Sequence, residues 1–330
     1  MNKKIVITGN AGMIGSVLSN HFIDKKYEVV GVDNFFGGLE KNINKKVKFY
    51  QVDICDQDKI NKIFQEEKPS YVIHCAAYAA EILSPFIRNF NYKTNLIGSI
   101  NLINASINFD VEKFINFSSI ATYGDLNPPF IETQNRNPKD CYGIAKLAVE
   151  MDLKEAYEHF GLKYVSVLPH NVISKYQNYY DKYRNVIAIW IRQCIQKEKI
   201  TIFGDGLQKR AFSEAKFLCE PIERLLYEFE DEIFNIGSDK VICIKDAAEL
   251  VIKVAKSYGF DNKIIFLEPR REVKYAYSDH SKAASKLGFK DETNLEKTIS
   301  EMFEYALKQE QQSINKMEYE ISKNIYSYWK

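Results

Sequence analysis

Short apolar segments rich in β-branched residues alternate with longer helical stretches through the first half of the chain. The predicted strands cover residues 4–8, 27–33, 47–53, 71–75, 113–118 and 163–168. The stretches between them predict helices over 11–25, 57–67, 86–108 and 142–160. Strands that are apolar throughout and separated by helices are typical of a parallel sheet covered on both faces. The pattern therefore predicts an α/β fold built on a doubly wound parallel sheet.

The pattern changes near Pro169. The later elements are a predicted helix over 185–197, a glycine-containing turn over 203–206 and a buried strand over 232–237. We expect a first domain of residues 1–171 and about 212–245, and a smaller interleaved region of residues 172–211 and about 246–330. Because ligands of open α/β sheets bind beyond the carboxyl ends of the strands, the second region would cover such a site.

The end of the chain is polar and helical, and it closes on aromatic residues. No function can be derived for the tail from about Gln311 onward, and we expect it to pack on the body of the protein or on a partner subunit.

The charge balance excludes two classes of partner. The chain has 45 Lys and Arg against 44 Asp and Glu, which gives a net charge of +1 and indicates neither a nucleic-acid nor a membrane-surface binder. No segment has the length of a signal peptide or a membrane span. The six cysteines form no C-x-x-C pair, so we expect no metal site and a cytoplasmic location.

A glycine motif follows the first strand and opens the first helix, and its spacing is G-x-x-G-x-x-G. The candidate dinucleotide-binding residues of this motif are Gly9, Gly12, Met13, Ile14 and Gly15. Such a turn lets the backbone approach a pyrophosphate, and the helix N-terminus directs free N–H groups at the phosphates. A purely structural β–α turn is the alternative. The context therefore predicts a Rossmann-type dinucleotide site.

Acidic residues end the next two strands. Asp33 can bind the two ribose hydroxyls of adenosine, and because neither Lys nor Arg follows in Asn34-Phe35-Phe36, the site favours NAD over NADP. The alternative for Asp33 is a solvated strand end. Asp53 could bind the adenine amino group with Ile54 packed on the ring, or Asp53 could cap the next helix, and these two interpretations stay open.

A phenol and an ammonium group lie one helical turn apart at Tyr142 and Lys146. The ordinary pKa of tyrosine, about 10, is too high for a base at neutral pH, but an adjacent lysine and a cationic nicotinamide ring both favour phenolate. The Tyr–Lys spacing recurs in the tail, so it is the position of Tyr142 that selects it. Its helix follows a strand that ends in Ser118-Ser119, and Ser119 could bind both the phenol and a substrate hydroxyl, although a simple turn is the alternative.

These residues together resemble the extended short-chain dehydrogenase/reductase family, and within it the nucleotide-sugar 4-epimerases of the UDP-glucose 4-epimerase type. The matching motifs run to about residue 305 and are Gly9/Gly12/Gly15, Asp33, Asp53-Ile54, His74-Cys75-Ala76-Ala77, Asn95 to Ser99, Ser118 to Gly124, Tyr142 with Lys146, Pro169 to Val172, Asn185 to Ile187, Phe203 to Gly206 with Arg210, and Arg270 with Asp279.

The resemblance implies roles for further residues. The implied NAD-binding residues, beyond those already derived, are Asn34, Ala76, Ala77, Asn95 and Pro169, with Asn95 supporting the helix of Tyr142. The implied substrate-binding residues, beside Ser119 and Tyr142, are Asn171 and Asn185 for the sugar and diphosphate, and Arg210 with Arg270 as a diphosphate clamp, Arg271 being the alternative to Arg270. It also implies a homodimer formed through helices 86–108 and 142–160.

The same comparison favours reversible oxidation at C4. Relatives that dehydrate their substrate carry an Asp-Glu pair directly after the catalytic Ser or Thr, and Ile120-Ala121 stand there in this chain. Ala121 and Thr122 also offer no glutamate of the kind that decarboxylating relatives use. Ala276 stands where a tyrosine keeps some relatives specific for unsubstituted hexoses, so this site is expected to admit an N-acetyl group.

Two other functions stay open. One is a net NAD-dependent C4 oxidoreductase acting on a GDP- or UDP-linked sugar, and the other is a nucleotide-sensing regulator on the same fold. Of the histidines, His74 is interpreted as a core residue, whereas His170 could either contact substrate or be structural. His21, His159 and His280 are expected to be structural or at the surface.

Overall fold

A parallel sheet of seven strands forms the centre of the protein. The computed structural model describes residues 3–310, 313–314 and 316–329, so Gln311 and Gln312, where the predicted tail begins, lie outside the described residues. The strands in chain order are β1 (Lys4–Thr8), β2 (Glu28–Asp33), β3 (Lys48–Gln51), β4 (Tyr71–His74), β5 (Lys113–Phe117), β6 (Tyr164–Pro169), β7 (Val172–Ile173), β8 (Ile200–Phe203), β9 (Lys209–Ala211), β10 (Ser213–Glu214), β11 (Glu232–Ile236), β12 (Val241–Cys243), β13 (Ile264–Leu267) and β14 (Tyr275–Ala276). The central sheet has the order β11-β6-β5-β4-β1-β2-β3, and the predicted fold class is confirmed.

Helices cover both faces of this sheet. The helices of the described residues, of which only some pack on the sheet, are α1 (Met13–Asp24), α2 (Gln57–Glu67), α3 (Arg88–Tyr92), α4 (Gly98–Asn108), α5 (Cys141–Phe160), α6 (Val186–Ile195), α7 (Cys219–Leu225), α8 (Ile244–Ser257), α9 (Ser281–Leu287) and α10 (Leu295–Leu307). No helix among the described residues combines the length and the apolar character needed to cross a bilayer.

The predicted helix over 86–108 is divided. A π-helical turn at Lys93–Ile97 separates α3 from α4. Within this turn Asn95 is fully buried, and its Oδ1 accepts a hydrogen bond from the backbone N–H of Tyr78 at 2.8 Å. Helical periodicity alone does not distinguish the irregular turn, because the polar side chain that occupies it is satisfied by a loop far away in the sequence.

Three of the five apolar clusters among the described residues hold most of the helices and strands together. One lies between the sheet and α1, α7 and α9, and a second lies on the opposite face against α2, α4 and α5. A third joins α6, α8 and α10 to β8, outside the sheet. Although α9 falls within the region expected to bind substrate, its Ala283 and Leu287 pack into the core of the central sheet.

The carboxyl ends of β1, β4 and β5 are locked in register. Thr8 of β1 pairs with His74 of β4, and His74 pairs with Asn116 of β5. The His74 ring is fully buried and hydrogen bonds through Nδ1 to Thr8 Oγ1 and through Nε2 to Ser99 Oγ, both at 2.8 Å. The interpretation of His74 as a core histidine is therefore confirmed.

A buried carboxylate links strand β1 to the edge strand β3. Glu67, at the end of α2, accepts hydrogen bonds from Lys4 at 2.9 Å, from Lys48 at 2.5 Å and from the Tyr50 hydroxyl. Burial by itself raises the pKa of Glu67, but these three donors outweigh it and lower the pKa to about 2. The charged form of Glu67 therefore stabilises the folded state.

We expect Glu67→Gln to lower the free energy of unfolding by about 1–3 kcal/mol at neutral pH, because the amide loses two charge-assisted bonds. The folded-state pKa lies below the ordinary 4.5, so the difference from the wild type is full above about pH 4.5 and shrinks as the pH falls towards 2. Urea unfolding measured across this pH range checks the prediction. Glu66→Gln, at a more exposed neighbouring carboxylate, is the control, and an equal loss in both variants would contradict the assignment.

Candidate active site

The glycine loop forms a side-chain-free cradle between β1 and α1. Gly9 has a φ of +68°, a conformation that favours glycine, and its N–H donates to the carbonyl of Val32 at 2.8 Å. A Cβ atom on Gly15 would overlap the carbonyl oxygen of Gly9. The three predicted glycines, together with Met13 and Ile14, line one large cavity at the carboxyl edge of the sheet.

Asp33 is fixed at the far end of this cradle. Its Oδ2 accepts from the N–H of Ala11 at 3.0 Å, and its Oδ1 accepts from the N–H of Phe35 at 2.8 Å. Burial raises the pKa of Asp33, and these backbone donors oppose the rise. The carboxylate lines the cavity with Asn34, where it can still accept hydrogen bonds from a ligand.

Asp53 and Ile54 also line the cavity. Asp53 accepts from Asn34 Nδ2 at 3.0 Å and from the N–H of Cys55 at 2.8 Å. The cap of α2 is Asp56, whose side chain accepts from the N–H of Lys59. The alternative in which Asp53 caps that helix is therefore wrong, because the helix begins three residues later than such a cap requires.

These residues fit a dinucleotide. The cradle has no side chains where a pyrophosphate would approach, a carboxylate stands where a ribose would lie, and Ala76, Ala77 and Pro169 continue the same wall toward the middle of the sheet. The cavity wall is continuous from the glycine loop and Asp33 to Tyr142, so one wall offers places for both halves of a dinucleotide.

Asn95 is not part of the cavity wall, contrary to its placement among the cofactor-binding residues. It is held inside the π-helical turn, where Nδ2 donates to Asn91 Oδ1 at 2.9 Å. Asn91 in turn donates to the carbonyl of Cys141, the first residue of α5, at 2.9 Å. Asn95 therefore supports the helix that carries Tyr142 through Asn91, and the expected supporting role agrees with this contact.

Tyr142, Ser119 and Lys146 lie together where β5 and α5 meet. Ser119 follows β5 and caps the short helical turn at Ile120–Tyr123 by accepting from the N–H of Ala121. Lys146 is buried, and its Nζ donates to the carbonyl of Phe117 at 2.8 Å and stands 6.0 Å from the centre of the Tyr142 ring. All three predicted catalytic side chains line the cavity.

The pKa of Tyr142 differs from the expectation that the adjacent Lys146 favours the phenolate. Burial raises the pKa of Tyr142, Glu81 adds to the rise, and the groups that oppose it are the hydroxyl of Ser119 and the guanidinium of Arg184. Burial likewise lowers the pKa of Lys146 to about 8. Because both side chains are withdrawn from water, the protein without ligands favours a neutral phenol.

The predicted substrate residues surround the other end of the cavity. Asn171, Asn185, Arg210 and Arg270 all line it. Arg210 donates to the backbone carbonyl of Val273 at 2.7 Å, and Arg270 stacks its guanidinium 4.2 Å from the centre of the Phe203 ring.

The arginine pair shares one carboxylate. Glu272 lies 3.3 Å from Arg270 and 3.8 Å from Arg210. The buried Arg270 Nε has no hydrogen-bond partner within the part of the chain that the structure describes. Arg271 is exposed and does not belong to the cavity wall, so the structure favours Arg270 over Arg271 as the second clamp residue.

Five charged residues of the cavity wall escaped the sequence analysis, namely Glu81, Asp140, Lys182, Arg184 and Glu272. Glu81 lines the cavity and is exposed to the solvent within it. The surrounding protein raises the pKa of Glu81 by withdrawing it from bulk water, Asp140 adds to the rise, and Arg210 and Arg270 oppose it. Arg184 is held by Asp181 at 2.6 Å and lies 4.5 Å from the centre of the Tyr78 ring. The available signals were weak: Glu81 is an isolated acid after an alanine-rich segment that leaves β4, and Arg184 directly precedes the predicted Asn185.

His170 reaches the cavity wall, but its ring is committed to the protein. Nδ1 hydrogen bonds to the carbonyl of Ala211 at 3.0 Å, and Nε2 meets Nε2 of His280 at 3.0 Å. Burial lowers the pKa of His170 to about 3, and the second histidine acts in the same direction. The structural alternative therefore describes His170, and His280 is buried with it, whereas His159 is exposed.

Comparison with known proteins agrees with this geometry. The NAD dependent epimerase/dehydratase family matches residues 5–237. The dTDP-D-glucose 4,6-dehydratase of Mus musculus is 29% identical over 318 residues, which cover 92% of this chain and 88% of that protein.

Solved structures are similar over nearly the whole chain. A UDP-glucose 4-epimerase from Thermotoga maritima with UDP-glucose has a TM-score of 0.87 and 32% identity, covering 92% of this chain and 99% of that one. A UDP-N-acetylglucosamine 4-epimerase from Methanobrevibacter ruminantium has a TM-score of 0.84 and 28% identity, covering 93% and 98%.

The chain therefore belongs to the NAD-dependent epimerase/dehydratase family. The predictions of an enzyme of this family, of NAD as its cofactor and of a nucleotide-sugar epimerase are confirmed at the level of the family.

We expect Asp33→Asn to weaken NAD binding about 10- to 100-fold, because an amide offers one acceptor oxygen in place of two charged ones. Loss of the charge also removes the repulsion of a 2′-phosphate, so the preference for NAD over NADP should fall. Calorimetric titration with both dinucleotides measures the two effects. Asp58→Asn, on the solvent face of α2, is the control, and unchanged NAD affinity in Asp33→Asn would refute the assigned role.

Proposed function

We propose that this protein interconverts the C4 epimers of a nucleotide-activated hexose through a 4-keto sugar. The observation that carries the proposal is the shared cavity: Tyr142 and Ser119 line the same space as the glycine loop on one side and the Arg210–Arg270 pair on the other. A sugar held by its diphosphate at the arginines would extend toward the phenol.

NAD, when bound, supplies a hydride acceptor for the sugar carbon and a positive charge beside the phenol. Tyr142 would take the proton of the C4 hydroxyl as the hydride leaves C4, and would give the proton back when the hydride returns to the other face of the 4-keto sugar, so that substrate and product have the same oxidation state. Ser119 would hydrogen bond to both oxygens and keep them aligned. Lys146, fixed on the carbonyl of Phe117, orients the ribose next to the tyrosine. The glycine loop and Asp33 hold the adenosine and pyrophosphate end.

The wall beside Ser119 argues for epimerisation over elimination. Ile120 and Ala121 line the cavity directly after Ser119, and neither can transfer a proton. Elimination of water from the sugar requires an additional acid and base at that place. Tyr142 and Ser119 therefore suffice for reversible oxidation at one carbon, which is the chemistry of an epimerase.

The arginine pair supports a diphosphate. Two guanidinium groups that share Glu272 can exchange that carboxylate for the oxygens of a diphosphate, and the free Nε of Arg270 offers a further donor. Asn171 and Asn185, both in left-handed backbone conformations, line the same space, and Asn171 Nδ2 donates to the carbonyl of Ala211 at 3.2 Å. We propose that residues 172–211 and the segment from about 246 supply the contacts of Asn185, Arg210 and Arg270, whereas Asn171 is the residue directly before them.

Ala276 supports acceptance of N-acetylated sugars. It lines the cavity near Ile120 and Phe130, and a methyl side chain there leaves room that a tyrosine ring would fill. We therefore propose that UDP-N-acetylglucosamine and UDP-N-acetylgalactosamine are accepted beside the unsubstituted pair.

Interconversion of UDP-glucose with UDP-galactose, and of their N-acetyl forms, tests the proposal. We expect the wild type to equilibrate at least one pair without net formation of NADH, followed by NMR of the sugars and absorbance of the dinucleotide. Tyr142→Phe should lower kcat by about 10²–10⁴-fold, because the phenol is the proton acceptor. Tyr227→Phe, at an exposed tyrosine outside the cavity, is the control.

The outcomes separate the alternatives. Stoichiometric NADH formed on addition of substrate would assign a net C4 oxidoreductase. Full activity of Tyr142→Phe would refute the mechanism, and absence of interconversion for every nucleotide hexose, with nucleotide binding retained, would favour a sensor.

We also propose a homodimer in the cytoplasm, formed through the helices that flank Tyr142. Ile144 and Met151 are large, exposed and seven residues apart, so they lie on one face of α5. The exposed Ile97 lies on the neighbouring π-helical turn, which contacts α5. Exposed apolar side chains that cluster on adjoining helices are typical of a subunit interface.

We expect Met151→Glu to convert the dimer to a monomer, because a charge would be buried at the interface without a partner. Size-exclusion chromatography with light scattering should show the mass fall from two chains to one. Phe160→Glu is the matched control, since Phe160 is equally exposed but lies on the opposite side of α5. Dissociation by both variants, or by neither, would contradict the proposed interface.

A further inference from the structure

The chain end returns to the active site. We use the name C-terminal tail for residues 316–329, which follow α10. The backbone N–H groups of Glu320 and Ile321 donate to the carbonyl of Phe86 at 2.9 and 3.2 Å. The Glu320 carboxylate accepts from the N–H groups of Asn89 and Phe90 at 2.7 and 2.8 Å. These four bonds attach the start of the tail to the segment between β4 and α4.

The last residues of the tail are anchored over the second region. Lys182 Nζ and the Tyr319 hydroxyl both donate to the carbonyl of Trp329 at 3.1 Å. The Trp329 side chain is buried and meets the Tyr183 ring edge-on, with the ring centres 5.2 Å apart. Tyr326 accepts from the N–H of Arg271 at 3.1 Å. The C-terminal tail is therefore packed on the body of its own subunit.

This packing brings two tail side chains into the wall of the cavity, Tyr328 and Trp329. The Tyr328 ring lies edge-on to Phe203 with the centres 5.7 Å apart, and its hydroxyl accepts from Gln193 Nε2 at 3.3 Å. Phe203 in turn carries the stacked guanidinium of Arg270. Tyr328 therefore contacts the same ring, Phe203, on which the proposed diphosphate clamp is stacked. Its surface is 41% exposed.

The order of the groups in a nucleotide sugar indicates which group would lie beside Phe203 and Tyr328. Its diphosphate has the hexose on one side and the nucleoside on the other. With the hexose directed to Tyr142, the base must lie beyond the arginines, where Phe203 and Tyr328 stand. Aromatic faces stack on bases and contribute about 1–3 kcal/mol per base.

We propose that the C-terminal tail is part of the substrate site: Tyr328 forms one wall of the nucleobase subsite for a nucleoside diphosphate, and Trp329 positions it. This inference rests on the proposed function for the orientation of the ligand. It assigns part of the affinity for the base to the C-terminal tail, which packs on the cavity wall.

Binding of UDP to the full-length protein tests the inference without requiring turnover. We expect Tyr328→Leu, which keeps apolar volume but removes the aromatic face, to raise the Kd of UDP about 5- to 100-fold, whereas Tyr328→Phe stays close to the wild type. Inorganic diphosphate, which lacks the base, should bind all variants equally. Ile321→Ala is the matched control, because Ile321 is a tail residue of similar exposure outside the cavity wall.

Each outcome of these binding measurements either supports or overturns the inference. An unchanged Kd for UDP in Tyr328→Leu overturns the inference, and so does an equal loss of UDP and diphosphate binding, which would mean that the substitution only disturbs the fold. Failure of UDP, dTDP and GDP alike to bind the wild type also overturns it. If the protein binds UDP through Tyr328 but interconverts no hexose pair, the inference stands and the proposed function is refuted. If the protein is active and UDP binding is unaltered in Tyr328→Leu, the proposed function stands and the inference is refuted.

Discussion

The parallel register of β1, β4, β5 and β6 is the constraint on which the rest of the structure depends. It delivers the glycine loop, Ala76, Ser119 and Pro169 to one edge of the sheet, because Pro169 ends its strand and each of the others follows the carboxyl end of one. The register is fixed by pairing and by the buried His74, whose two nitrogens bridge β1 to α4. Burial also holds the pKa of His74 well below its ordinary value, so the ring stays neutral in this apolar interior.

Withdrawal from water explains the behaviour of the catalytic pair. Burial moves the pKa values of Tyr142 and Lys146 in opposite directions, and in each case toward the neutral form. A charge that develops in such surroundings interacts strongly with whatever lies beside it, because solvent screening is weak. In the proposed mechanism, bound ligands together with Arg184 and Ser119 would therefore determine when the phenol of Tyr142 gives up its proton.

The sequence predicted the parts of the site that follow a local rule. The glycine loop, the strand-end Asp33 and the helical spacing of Tyr142 and Lys146 each have a fixed relation to a strand or helix, so the alternating pattern places them. Glu81 has no such relation, since it enters the cavity from an irregular segment. The tail is still less predictable, because its position depends on contacts with residues more than 100 positions away.

The charges at the substrate end show how an apolar cavity can hold two guanidinium groups before a ligand arrives. Arg210 and Arg270 share Glu272, and Glu81 acts on both. An unpaired buried cation is strongly unfavourable, so the carboxylates stabilise the free protein. In the proposed function, a diphosphate would bring more negative charge and better geometry than one carboxylate, and it would compete with Glu272 for the two guanidinium groups. The affinity for a diphosphate would therefore be the difference in free energy between arginines paired with Glu272 and arginines paired with the diphosphate. Because that difference is smaller than either interaction, contacts to the neutral base and sugar would decide which substrate is selected.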